Sequence, residues 1–323
     1  MITLQQIEDA AKIIREGGLV AFPTETVYGL GANALNPDAV ARIFIEKERP
    51  SFDPLIVHIN STDYLPLLCK NPDDYLYKLA EAFWPGPLTM VVPKSKIVPD
   101  IVTSGLPTVA IRMPANAVAL KLIESAGCPI AAPSANKFGR LSPTSAQHVK
   151  KQLPGVDCIL DGGKSTIGIE STVISVTSAG FDVLRYGSIT RQQIELFLPY
   201  MPASAKQVTK QASPGFMKSH YSPVKPLFFI DDKSIGDTSN AGIVSFAGNN
   251  IKGYKAVEIL SANADLKEAA INLFGALHRL EEAEIDFIVV EPVPEIGIGL
   301  AIMDRLRKAA YQYTRESQTI TNN

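Results

Sequence analysis

Leu19-Val20-Ala21-Phe22-Pro23-Thr24-Glu25-Thr26-Val27-Tyr28-Gly29-Leu30-Gly31 joins a short apolar run to a polar cluster that ends in glycines. The apolar run reads as a buried strand, stopped at Pro23 because proline brings no backbone N–H to a ladder. The cluster behind it has two readings. Its glycines let a backbone approach a ligand closely and its hydroxyls offer hydrogen bonds, yet a plain glycine-rich turn would use the same residues.

Upstream of this stretch, Thr3 and Gln6 have the spacing of a capping box, and Ile7, Ala10, Ala11 and Ile14 fall on one helical face. Gly17-Gly18 ends that helix. Downstream, Asn36 and Pro37 predict a helix start, with Val40, Ile43 and Phe44 facing inward and the end placed before Pro50. Leu55–Ile59 reads as a strand, and Asn71-Pro72 opens a helix running to about Phe83. Trp84-Pro85-Gly86-Pro87 turns into a strand over Leu88–Val92. Further strands are expected at Thr108–Arg112, Ile130–Ala132, Cys158–Leu160, Thr172–Val176 and Val183–Arg185, with short helices near 116–125, 144–152 and 190–198.

Strands and helices alternate irregularly, and several strands follow one another directly. This predicts an α/β fold of the α+β-like kind, a twisted mixed sheet with helices packed on it. From 199 to 226 the apolar period disappears among Pro199, Pro202, Pro214, Pro223 and Pro226, the pattern of a linker. Order returns over 227–323 as a second, smaller, Rossmann-like α/β domain. Its strands are expected at Leu227–Ile230, Gly242–Phe246, Ala256–Leu260 and Phe287–Val290, with helices over 265–282 and from about Ile298 to Ala310. The chain thus divides into 1–198, 199–226 and 227–323, and the polar tail after Tyr313 is expected to fray.

Two domains suit 323 residues, and 46% hydrophobic content suits a sizeable core. A formal charge of −2 does not favour an obligate nucleic-acid binder, so no stable nucleic-acid binding is expected. Met1 runs directly into an amphipathic helix pattern, so no secretory leader is expected, and no apolar run approaches the ~18 residues of a membrane span. Cys69, Cys128 and Cys158, odd in number and without C-x-x-C spacing, read as reduced thiols of a cytoplasmic protein. His58, His148, His220 and His278 lack metal-ligand spacing, so no protein-built metal site is expected.

Three more polar clusters stand at strand or helix ends, where loops on a rigid scaffold tend to carry function. Lys47-Glu48-Arg49-Pro50-Ser51-Phe52-Asp53 closes a helix. Its cations either complement the helix dipole or converge on a polyanion. Pro133-Ser134-Ala135-Asn136-Lys137-Phe138-Gly139-Arg140-Leu141-Ser142-Pro143-Thr144 leads from a strand into a helix, a geometry that offers N–H groups to anions. Ser142 or Thr144 could equally be the helix cap. The last cluster is Glu170-Ser171-Thr172 with Arg185, joined by Arg112 either as a carboxylate or phosphate partner or as a surface ion pair. No phosphate loop, nucleophile elbow or H-E-x-x-H motif occurs. Gly297-Ile298-Gly299 lacks the third glycine of a dinucleotide fingerprint, because Ile302 stands in its place.

In order and spacing, Phe22 to Gly31, Lys47-x-Arg49-Pro50, Pro133-Ser134-Ala135-Asn136 and Glu170-Ser171-Thr172 resemble the YrdC-like threonylcarbamoyl-AMP synthases. Trp84 to Thr89 and Thr108 to Pro114 resemble them too. Ser213-Pro214-Gly215, His220-Tyr221-Ser222-Pro223 and Gly299 to Arg307 resemble the long form with an added C-terminal domain. Tyr186 departs from the proline expected after Leu184-Arg185, and Phe216-Met217-Lys218 departs from the usual linker order.

The resemblance implies that L-threonine, bicarbonate and ATP give threonylcarbamoyl-AMP and pyrophosphate, for a downstream machinery that modifies tRNA. Mg²⁺ is implied as ATP's companion, bound largely through phosphates and water. By position, Lys47 and Arg49 would act on the ATP phosphates, with Ser134, Asn136 and Ser142 also on the nucleotide. Asp53, Thr108, Arg185 and Tyr221 would add nucleotide contacts. Arg112 would pair with the threonine carboxylate, and Thr26, His58, Ser171 and the Ala132 backbone would line the amino-acid pocket. His58 could instead be a hydrogen-bonded core residue. His220 and Tyr221 would fold over the site. Three alternatives are a non-catalytic RNA-binding module of the same fold, a ligand-sensing regulator, and the carbamoyltransferase of hydrogenase maturation. The last has zinc-finger modules, for which this chain lacks the cysteine pairs.

Overall fold

The computed structural model describes residues 2–202 and 220–311. The expected linker motif around 213–218 and the tail after Tyr313 lie outside them. Contacts gather the described residues of Met1–Lys137, Pro143–Thr166 and Glu170–Phe216 into one unit. Those of Phe138–Ser142, Ile167–Ile169 and Met217–Asn323 form a second.

The first unit opens with α1 (Leu4–Arg15), capped by a complete Thr3–Gln6 capping box, and continues into β1 (Val20–Phe22). β2 (Gly29–Asn33) follows, then α2 (Pro37–Lys47), whose N-cap Asn36 accepts from Asp38 and Ala39. Next come β3 (Ile56–His58), a short 3-10 turn, α3 (Leu65–Leu68), α4 (Asp74–Phe83), β4 (Leu88–Pro93), α5 (Asp100–Thr103) and β5 (Thr108–Arg112). The unit closes through α6 (Ala117–Ala126), β6 (Ile130–Ala131), α7 (Ala146–Gln152), β7 (Cys158–Ile159), β8 (Thr172–Thr177), β9 (Gly180–Arg185) and α8 (Arg191–Glu195). Among the described residues, nine strands form one mixed sheet in the order β7-β1-β2-β6-β3-β5-β4-β8-β9. The twisted mixed α/β sheet expected from the sequence is the observed architecture.

Local details differ from expectation. Gly29 to Gly31, read as a turn or ligand loop, belong to β2 and pair with Phe22 to Val20. A Cβ on Gly31 would lie 2.6 Å from Ile130 Cγ2 and 2.8 Å from the Phe22 ring, so glycine here serves close packing across strands. Asn71 does not cap α4, since its φ is 52° and the cap is Asp73, which accepts from Leu76 N–H. Neither Ser142 nor Thr144 caps α7; Ser145 does, through His148 N–H. Phe44 packs against the core half-buried, and Lys47 is fully buried on α2 as well.

The second unit contains a four-stranded parallel sheet, ordered β10-β13-β11-β12 among the described residues. Its elements are β10 (Leu227–Phe229), β11 (Ala241–Ser245), β12 (Ala256–Ile259), α9 (Leu266–Glu282), β13 (Phe287–Val290) and α10 (Gly299–Ala310). The buried face of α9, including Leu273, Phe274 and Leu277, follows the expected helical spacing. Tyr221 and Ser142 belong to this unit. The Tyr221 ring lies 5.7 Å from that of Phe274 and 5.5 Å from the Arg305 guanidinium, and Ser142 O lies 3.1 Å from His278 Nε2. No described helix is long and apolar enough to cross a membrane.

Candidate active site

In the first unit, Ile56, Val91, Ala110 and Val173 form a small buried apolar patch on neighbouring strands, with Leu184 against it. Because side chains alternate along a strand, residues two positions away share that face. Those residues are His58 on β3, Thr89 on β4 and Arg112 on β5, with Ser171 just before β8. Each is buried. His58 is directly opposite Arg112 in the parallel register of β3 and β5.

Arg112 sits at the centre of this group. Its Nε donates to Gly86 O at 3.2 Å, Nη1 to Thr26 Oγ1 at 2.9 Å and Nη2 to Glu25 Oε1 at 2.6 Å. This is a buried ion pair, in place of the surface pair a lone strand-end arginine would make. Thr24 Oγ1 donates to Val27 O at 2.6 Å and closes the turn that presents Glu25 and Thr26. The His58 ring meets Phe22 edge-to-face at 5.9 Å. Burial, with the Arg112 cation adding to it, pushes the His58 pKa down to about 3, so the imidazole is neutral at pH 7. His58 Nδ1 has no hydrogen-bond partner among the described residues.

On the other side, the Ser171 and Thr89 hydroxyls lie 2.8 Å apart. Arg185 donates to Ser171 O and Oγ, each at 3.1 Å, which fixes both the backbone and the side chain of Ser171. Ala132 is held by its N–H to Ile56 O at 2.8 Å.

A third group gathers the cations. Lys47 Nζ is buried and donates to Ser134 O at 2.7 Å and to Asn136 O. Burial first, and the Arg49 charge second, push its ammonium well below the usual lysine range, while Asp53 opposes them. Arg49 Nε donates to Asp53 O at 3.0 Å, and its Nη2 donates to Pro54 O at 3.0 Å and stands 2.8 Å from Asp53 Oδ2. Burial raises the Asp53 carboxyl pKa, with Arg49, Lys47 and Arg185 pulling it back. The 133–136 segment is fixed by Leu30 N–H to Pro133 O at 2.9 Å and Ala135 N–H to Tyr28 O at 2.8 Å.

Most of the sequence candidates in this unit therefore converge into linked groups. Thr108 does not. It shares the Arg112 face of β5 but starts the strand, about 13 Å away at 3.3 Å per residue, and pairs with Pro93. Glu25 and Thr89 were not singled out from sequence. The signal for Glu25 was its own cluster, where it is the only acidic residue among threonines and glycines. Among the described residues, no three or more His, Cys, Asp or Glu side chains gather where they could hold a metal ion.

The family described as telomere recombination, Sua5/YciO/YrdC, matches residues 12–187, and the threonylcarbamoyl-AMP synthase C-terminal domain matches 189–311. The chain is 45% identical to a threonylcarbamoyl-AMP synthase of Pyrococcus abyssi, over 94% of each chain. It is 42% identical to that of Bacillus subtilis, over 94% of this chain and 93% of that one. The crystal structure of P. abyssi Sua5 with L-threonine superposes with a TM-score of 0.85 at 43% identity, covering 96% of both chains. Similarity to these synthases over nearly its whole length places the chain in the Sua5/YciO/YrdC family, among the threonylcarbamoyl-AMP synthases that carry a C-terminal domain.

Proposed function

We infer that the first unit joins L-threonine, bicarbonate and ATP into threonylcarbamoyl-AMP with release of pyrophosphate. The observation that carries this reading is the buried Arg112, seated among Thr26, Glu25 and neutral His58. Its guanidinium has five N–H groups and spends three of them on the protein. The two others suit a carboxylate in a pocket where His58 can hydrogen-bond without adding charge. Thr26, Ser171 and the Ala132 backbone line the rest of this amino-acid pocket.

The second substrate is polyanionic, and the cation group suits it. Arg49 supplies fixed positive charge, and Lys47 fixes the Ser134–Asn136 backbone. Within the first unit, Ser134, Asn136, Asp53 and Arg185 complete the nucleotide contacts. The amine becomes a carbamate, which attacks the α-phosphate while pyrophosphate leaves. Both partners are anions, so neutralising charge and aligning the reactants dominate the rate, and no protein nucleophile is needed. Mg²⁺ would arrive on the nucleotide phosphates and supply charge neutralisation there. The product is an activated donor for tRNA modification by a separate transfer machinery, a cytoplasmic role. Relatives matching over nearly the whole chain are named as synthases, which favours catalysis over a non-catalytic RNA-binding module.

The test is pyrophosphate release from ATP with Mg²⁺ and bicarbonate, with and without L-threonine. Threonine-dependent release is expected, reduced at least about 100-fold in a folded Arg49→Ala variant. Folded, ATP-binding protein that releases no pyrophosphate with threonine would end the synthase reading.

A further inference from the structure

Glu25 carries more than a structural pair requires. Its carboxylate is buried, at 6% exposure. Oε1 accepts from Arg112, but Oε2 has no hydrogen-bond partner among the described residues. A buried carboxylate oxygen is costly without a donor, and near a binding pocket it marks where a ligand's N–H is expected. Asp53 is buried as well and its Oδ2 also lacks a hydrogen bond, but that oxygen lies 2.8 Å from the Arg49 Nη2 cation, an ion pair that Glu25 Oε2 is not given.

Geometry ties this oxygen to the reacting nitrogen. Arg112 keeps one N–H on each terminal nitrogen after serving Gly86, Thr26 and Glu25. An α-amino acid anchored there by its carboxylate carries its nitrogen roughly 2.5 Å from the carboxylate carbon. An ammonium carried there can reach the Glu25 carboxylate, which shares the same guanidinium.

We propose that Glu25 is a catalytic residue that binds the α-ammonium of the amino-acid substrate and takes its proton as the amine is carbamoylated. This rests on the synthase reading above. The ammonium gives one proton to the Glu25 carboxylate and becomes a neutral amine. The nitrogen lone pair then bonds the bicarbonate carbon, the C–OH bond breaks, and the departing hydroxide leaves as water with the second amine proton. The products are a carbamate anion, one water and protonated Glu25. Protonated Glu25 can donate a hydrogen bond to the new carbamate, so two anions are never forced together in a buried site.

The test compares wild type with Glu25→Gln from pH 6 to 9.5, following threonylcarbamoyl-AMP formation. The variant is expected to lose about 100-fold in kcat near pH 7, keep KM for ATP within threefold, and recover as rising pH deprotonates the amine in bulk. A variant within threefold of wild type across this range, with the same pH profile, overturns the proposal. Should Glu25→Gln fail to fold, wild-type binding of L-threonine is compared with 2,3-dihydroxybutyrate, in which a hydroxyl replaces the amine. At least tenfold weaker binding of the hydroxy acid supports the proposal, and equal affinity overturns it. Wild type that forms no product fails the synthase reading itself and takes this proposal with it.

Discussion

Lys47 donates from its ammonium to the Ser134 carbonyl at 2.7 Å, joining residues 87 positions apart in sequence. A second bond to Asn136 O lets one buried side chain tie the 134–136 turn to α2, beside the backbone bonds from Leu30 and to Tyr28.

Replacing Lys47 with methionine keeps most of the unbranched side chain and removes both bonds. Two carbonyls lose a donor, so stability should fall by roughly 1–3 kcal/mol. ATP affinity should drop at least about tenfold, since the turn that carries Ser134 and Asn136 is released, while threonine affinity stays within threefold. Calorimetry with each substrate separately checks this. Unchanged ATP affinity would remove Lys47 and its turn from the nucleotide site.

His58 makes stability depend on acid. Its pKa is about 3 when folded, against about 6.5 when unfolded. Between these values the unfolded chain binds a proton that the folded chain refuses. The contribution is therefore fully present above pH 6.5 and is lost as pH falls towards 3. At pH 5 the loss is about 2 kcal/mol. Urea unfolding of wild type and His58→Asn at pH 5 and pH 7.5 should show a smaller drop in the variant. Parallel curves would mean that His58 is not buried as a neutral ring.

Gly31→Ala tests the strand reading of the glycine-rich stretch. The added methyl would meet Ile130 and Phe22 well inside contact distance, so a loss of about 1–3 kcal/mol is expected. An unchanged urea midpoint would show that β2 does not press against these neighbours.

Elements with their own local chemistry were legible in the sequence. The Thr3–Gln6 capping box, the Asn36-Pro37 helix start and the β-branched run of β5 read correctly because the signals are short-range. The Gly29–Asn33 strand did not. Its glycines reflect the Phe22 ring and Ile130 side chain lying across neighbouring strands, and spacing along the chain carries no trace of them. The α7 cap was missed for a simpler reason, since Ser142, Thr144 and Ser145 are all competent caps and only the observed backbone chooses among them. At the site, the strand-end position of Arg112 left a surface ion pair open, and the family resemblance assigned it to the amino-acid pocket. That its partner is Glu25, 87 residues earlier, rested on tertiary contact alone.

The register of the large sheet also governs how the chain can be made. Val20 pairs with Cys158, and Leu88 pairs with Thr172. At about 5–20 residues per second, β1 leaves the ribosome roughly 7–28 s before β7 exists to meet it. During that interval one edge of β1 stays open, and β4 waits in the same way for β8. The nascent N-terminal half must therefore be shielded from other chains while synthesis continues, and slow translation would lengthen its exposure to aggregation.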